Sequence, residues 1–137
     1  MKSGEINSLF KNLSKVIKNP KSDLKYKNKF TLLVSVVLSA QCTDVNVNNV
    51  TKNIYPKYKK PGHFVKLGRK KIEKIINSIG LFRNKAKSIY LLSKQLIEKH
   101  NGKVPKNFDD LLALPGVGRK TANVVLNEGF EIGRAHV

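Results

Sequence analysis

The feature that most constrains this chain is the run Phe30–Ala40, FTLLVSVVLSA. Thr31, Ser35 and Ser39 recur every four residues, and the rest of the circumference is apolar. That pattern predicts a helix buried on most sides, so the other elements have to pack around it. The valines also suit a strand, but the length and the small polar stripe favour a helix. At 11 residues the run is too short to cross a bilayer core of about 30 Å, and no membrane association is expected.

The remaining periodicities are helical as well. Ile6, Leu9, Phe10, Leu13, Val16 and Ile17 follow the 3–4 spacing until Asn19-Pro20. A basic connector runs from Lys21 to Lys29. Thr43-Asp44 offers a cap for a helix to about Tyr55, with Asp44 read as a cap rather than a catalytic acid. A short turn is expected at His63–Leu67. Ile72, Ile75, Ile76 and Ile79 form one apolar stripe, with Gly80 as its left-handed stop. Ala86, Ile89, Leu92 and Leu96 form the next, ending at Asn101-Gly102. Phe108, Leu111, Leu112 and Leu114 give a short helix, and Thr121 to Leu126 the last one. No strand alternation, β-hairpin signal or repeat interrupts this. The fold class expected is all-α, a bundle or barrel of seven or eight helices in one domain of 137 residues.

Composition narrows the function. Lys and Arg number 27 against 9 Asp and Glu, a net charge of +18. That rules out an acidic binder and makes a polyanion, nucleic acid first, the leading partner. Of the basic residues 23 are lysines, accompanied by 14 asparagines; A/T-rich codons account for much of the total, but not for where the charges sit. The single cysteine, Cys42, excludes an internal disulfide and a cysteine-ligated zinc or iron–sulfur site within this chain. Met1–Ile6 carries no signal-peptide apolar run, and the reading is of an intracellular protein. His63, His100 and His136 have no ligand spacing, so no metal site is expected.

One segment carries chemistry. Leu114-Pro115-Gly116-Val117-Gly118-Arg119-Lys120-Thr121-Ala122 lies between two short helices. Gly116 and Gly118 permit backbone conformations and close approach that a Cβ would block. Their amides, with those of the following helix's first turn, make a nest for an anion. Arg119 and Lys120 add full charges. Such a device grips a DNA phosphate without reading sequence.

Three segments together resemble the endonuclease III family of the helix-hairpin-helix superfamily, DNA glycosylases with abasic-site lyase activity. They are Leu38-Ser39-Ala40-Gln41-Cys42-Thr43-Asp44, Ile79-Gly80-Leu81-Phe82-Arg83-Asn84-Lys85-Ala86, and Leu112 through Leu126 with the LPGVGRKTA run. The resemblance extends from about Phe30 to Phe130, with the hairpin at 108–127. It implies that Lys120 attacks C1′ of the damaged nucleoside, expels the base and forms a Schiff base, after which β-elimination nicks the strand. A helix N-terminus, Arg119 alongside and an enclosed site would favour the attacking amine. Gln41 and Leu81 match positions that enter the duplex when a base is flipped out; on residues alone, Gln41 also fits a helix cap and Leu81 the core. Leu114, Gly116, Val117, Gly118 and Arg119 are the implied DNA-binding residues of the hairpin. The implied partner is double-stranded DNA with an oxidised pyrimidine or an abasic site. The implied setting is a monomer in a bacterial cytoplasm, at the nucleoid.

The resemblance also implies features that this sequence does not contain: a Val-Asp-Thr-His segment whose aspartate assists Lys120, and four cysteines of a [4Fe–4S] cluster. The chain thus reads as three parts: an N-terminal helix and basic connector at 1–29, a partial glycosylase domain at 30–130, and a non-family tail at 131–137. Back-translated as GAG ATC GGA AGA GCA CAC GTC, the tail reproduces the start of a common sequencing-library adapter, and read-through into adapter is the expected origin. A chain incomplete in this way is expected to lack useful glycosylase turnover and to leave Leu9, Val16, Val124 and Val125 without their cover. Two rivals remain: a non-catalytic helix-hairpin-helix DNA-binding module, and an adenine glycosylase of the same superfamily, against which Lys120 argues.

Overall fold

A computed structural model describes residues 23–130. The stripe expected at Ile6–Ile17 and the tail after Phe130 lie outside them. Among the described residues there are seven helices and no strand: α1 (Lys29–Leu38), α2 (Asp44–Thr51), α3 (Pro61–Leu67), α4 (Arg69–Ile75), α5 (Phe82–His100), α6 (Phe108–Leu112) and α7 (Arg119–Gly129). None is long and apolar enough to cross a membrane.

Helix α1 is the buried centre that the sequence predicts. Asn28 and Thr31 start it with a reciprocal capping box: the Thr31 amide donates to Asn28 Oδ1 at 2.8 Å, and the Asn28 amide to Thr31 Oγ1 at 2.8 Å. Every residue from Phe30 to Leu38 is buried. Thr31 and Ser35 of the polar stripe are buried too, and Ser39 is half-buried, which the periodicity alone does not foretell. Tyr55 reaches in from beyond α2, donates to the Thr31 carbonyl at 2.9 Å and pairs with the Ser35 hydroxyl. Burial pushes the Tyr55 hydroxyl well above its ordinary pKa, and the Ser35 hydrogen bond opposes this in part.

Around α1 pack α2, α5 and α7, while α3 and α4 lie on α5 and α6 lies on α7. The helix expected to reach Tyr55 stops at Thr51 and continues as hydrogen-bonded turns. Thr43, not Asp44, caps α2, its hydroxyl accepting from the Asn46 amide at 3.1 Å. Ile72, Ile76 and Ile79 are fully buried, as are Ala86, Ile89, Leu92 and Leu96 along α5. Two expectations fail here. Gly80 is not the left-handed residue; Leu81 is, at φ 59°. Val125 is not left uncovered but wholly buried, and Val124 is half-buried, because α7 lies directly on α1.

Ser93, on the buried face of α5, is the one buried side chain among the described residues whose polar atom has no partner. An unpaired buried hydroxyl costs free energy, and alanine is the better helix former. Ser93→Ala is therefore expected to raise stability by about 0.5–1 kcal/mol, read as a higher midpoint in a thermal melt.

Candidate nucleic-acid interface

Three connections build the site, and the first turn of the helix that the third one opens lines a cavity with residues at the C-terminal end of α1. The first, residues 39–43, leaves α1 itself. The second, residues 76–81, enters α5. The third is the hairpin, residues 113–118, which enters α7.

The hairpin is fixed to α5 at two points. The Gln95 side chain donates to the Ala113 carbonyl at 3.1 Å. Gly116, at φ +79°, lies so close to α5 that a Cβ would stand 2.5 Å from Ser88 Cβ. The two hairpin glycines thus differ. Gly116 meets both conditions that demand glycine. Gly118, at φ −100° and ψ −175°, is ordinary extended backbone, and a Cβ there would meet nothing within 4 Å. No steric reason internal to the described residues requires glycine at 118. Leu114 and Val117, grouped by sequence with the DNA-contacting residues, are buried and turn their side chains to the core. The Val117 amide donates to the Leu114 carbonyl at 3.2 Å and closes the turn.

Gly118 is the N-cap of α7 and brings no side chain to its first-turn amides. The first turn therefore presents free donors at the positive end of the helix dipole. Gly118, Arg119 and Lys120 are all exposed there. The enclosure expected around Lys120 is only partial. Its side chain lines an open cavity of about 560 Å³ with Ser39, Gln41, Cys42, Asp44 and Thr121. Asp44 brings a carboxylate to the same cavity, one oxygen of which accepts from the Asp23 amide at 2.8 Å.

Gln41 and Leu81 are both exposed, Leu81 to 54%. The alternative of a core leucine is thereby excluded. Both have φ 59°, and the third non-glycine residue with positive φ among those described is Asn101, at the end of α5. For a leucine or glutamine this conformation is strained and is held by the surroundings. Sequence reasoning missed what surrounds them. Lys85 is buried and donates to the carbonyls of Leu38 (2.9 Å) and Ala40 (2.6 Å) and to Cys42 Sγ (3.5 Å). The signal existed: positions 85, 89, 92 and 96 are i, i+4, i+7 and i+11, so Lys85 stands in register with the apolar stripe.

A buried central helix packed by three of the six others, with a glycine hairpin opening the last helix, defines a helix-hairpin-helix architecture. The profile of the HhH-GPD superfamily of base excision DNA repair proteins matches residues 34–132, and the chain belongs to that superfamily. It is 51% identical over 127 residues to endonuclease III of Rickettsia conorii, covering 93% of this chain and 60% of that protein. Against endonuclease III of Escherichia coli it is 46% identical over 112 residues, covering 82% of this chain and 53% of that protein. The fold matches a trapped endonuclease III–DNA covalent intermediate with a TM-score of 0.83 and 44% identity, over 96% of this chain and 62% of that one. A thermostable thymine-DNA glycosylase matches with a TM-score of 0.72 and 29% identity, over 76% of this chain and 48% of that one. The chain thus spans about 60% of the length of the first of these relatives. The [4Fe–4S] cluster implied by the resemblance does not fit the residues present. One cysteine cannot supply four thiolates, and Cys42 is engaged by Lys85.

Proposed function

We propose that this chain is the DNA-binding and nucleophile-bearing part of a base excision DNA glycosylase of endonuclease III type, with abasic-site lyase activity on oxidised pyrimidines. The observation that carries it is the position of Lys120, on an uncapped helix N-terminus and in one cavity with Gln41. The first-turn amides and Arg119 hold a phosphate of the damaged strand. Gln41 and Leu81 fill the space that the extruded nucleotide vacates, which offsets part of the cost of flipping. The Lys120 amine attacks C1′. At an abasic site the C1′ aldehyde loses its oxygen as water and a Schiff base forms. Loss of a C2′ proton then expels the 3′ phosphate. The protein would act as a monomer on nucleoid DNA in a bacterial cytoplasm.

Borohydride trapping tests this reading. An abasic duplex needs no base removal, so the step uses no aspartate from outside this sequence. A covalent adduct after reduction is the expected result. Tight binding of the abasic duplex with no adduct would instead identify a non-catalytic clamp.

Gly118 supplies an independent check. Gly118→Ala is expected to shift stability by no more than about 1 kcal/mol, since alanine fits the backbone but is a poorer N-cap. Duplex binding is expected to weaken by about ten- to a hundredfold, the loss of one charge-assisted hydrogen bond of about 1.5–3 kcal/mol as the methyl holds the phosphate off. Unchanged binding at two salt concentrations would remove the hairpin from the interface.

A further inference from the structure

We propose that Lys85 is a positioning residue that couples Gln41 and Leu81, holding the two exposed left-handed residues as one rigid pair; the proposal rests on the insertion role assigned to them above. A lysine is rarely buried without partners, and Lys85 is 5% exposed. Its side-chain nitrogen has three donors and finds three acceptors, the carbonyls of Leu38 and Ala40 and the sulfur of Cys42. The carbonyls lie at the C-terminal end of α1, where backbone oxygens lack helical partners. All three acceptors stand within three residues of Gln41.

The other end of the same residue holds Leu81. Lys85 lies one turn into α5, and its amide donates to the Leu81 carbonyl at 3.0 Å. Beside this link, Gly80 faces Cys42 across a gap that a Cβ would just fill, standing 3.8 Å from Cys42 Sγ. Backbone and side chain of one lysine thus tie two strained connections that are forty residues apart in sequence. An apolar side chain of the same length would fill the volume but leave the carbonyls unpaired and the connections unlinked. The insertion of two side chains into one duplex depends on their separation, and Lys85 fixes that separation without facing DNA.

The test compares binding of the 137-residue chain to an intact duplex and to the same duplex carrying a tetrahydrofuran abasic analogue. Lys85→Met is expected to reduce the preference for the abasic duplex about tenfold while changing intact-duplex affinity by less than about twofold, because flipping and not phosphate contact is impaired. Lys85→Arg, which retains donors, should restore most of the preference. In the Gln41→Ala background Lys85→Met should cost little more, since Lys85 acts through the inserting side chains. Equal loss on both duplexes, or fully additive loss in the double variant, marks Lys85 as a structural cap of α1 and overturns the proposal. Where Lys85→Met fails to give a cooperative melt, Lys85→Gln, polar but too short to reach all three acceptors, must show the same selective loss, and proportional loss in it overturns the proposal equally. If Gln41→Ala and Leu81→Ala leave the preference intact, the insertion role itself falls, and the proposal with it. A Lys85 failure alone leaves those two variants impaired.

Discussion

Gly116→Val is expected to abolish the cooperative thermal transition of the chain. Two costs coincide at this position. A β-branched residue at φ +79° is strained by about 1–3 kcal/mol. The new Cβ would also stand 2.5 Å from Ser88 Cβ and 2.7 Å from its hydroxyl. Relieving that overlap means displacing the hairpin from α5, an overpacking cost of about 1–3 kcal/mol. Together, about 2–6 kcal/mol, they reach the low end of the 5–15 kcal/mol that holds a typical domain. The milder Gly116→Ala separates the terms. Ser88→Gly should recover the steric share of its loss and none of the backbone share, and a double-mutant cycle reads the difference. A melt of Gly116→Val that matches the parent would mean that the hairpin does not rest on α5.

Lys120→Ala is expected to leave the fold and most DNA binding intact and to remove strand cleavage at abasic sites. The side chain is exposed, so stability should change by less than about 0.5 kcal/mol. Binding loses one charge among many; the slope of log affinity against log salt should fall by about one unit. Cleavage loses its nucleophile, a loss on the order of 10³-fold or more. The split between these measurements is the diagnostic. Loss of binding in proportion to cleavage would reduce Lys120 to a phosphate contact.

The parts of this fold written in local pattern are the parts legible in the sequence. α1 follows from an apolar run with a four-residue polar stripe, and α5 from a stripe that ends at Asn101-Gly102, both left-handed in the structure. The hairpin is legible because its glycine spacing and its basic residues are contiguous. What escapes is decided by contacts between segments distant in sequence. Gly80 has the usual residue type for a helix stop, yet the left-handed residue is Leu81, one position further on. Gly116 and Gly118 look equivalent until α5 is placed beside the first alone. Lys85 reads as one lysine among many, since only the fold brings the end of α1 to its side chain. Val125 reads as uncovered because nothing local says that α7 lies on α1.

The site is legible in a different way. Lys120, Gln41 and Leu81 are named by resemblance, and the residues alone leave a cap and a core leucine open for the last two. The structure adds what resemblance does not: exposure, strained backbone at both, and a cavity shared by Lys120 and Gln41.

The most direct test is to locate the covalent bond. The 137-residue chain is reduced with borohydride on an abasic duplex, the adduct is digested, and the modified peptide is sequenced by mass spectrometry. With 23 lysines in the chain, chance attachment would scatter over the exposed ones. The proposed chemistry predicts one modified residue, Lys120, and no adduct with Lys120→Ala. An adduct on any other lysine, or an undiminished adduct in that variant, would contradict it.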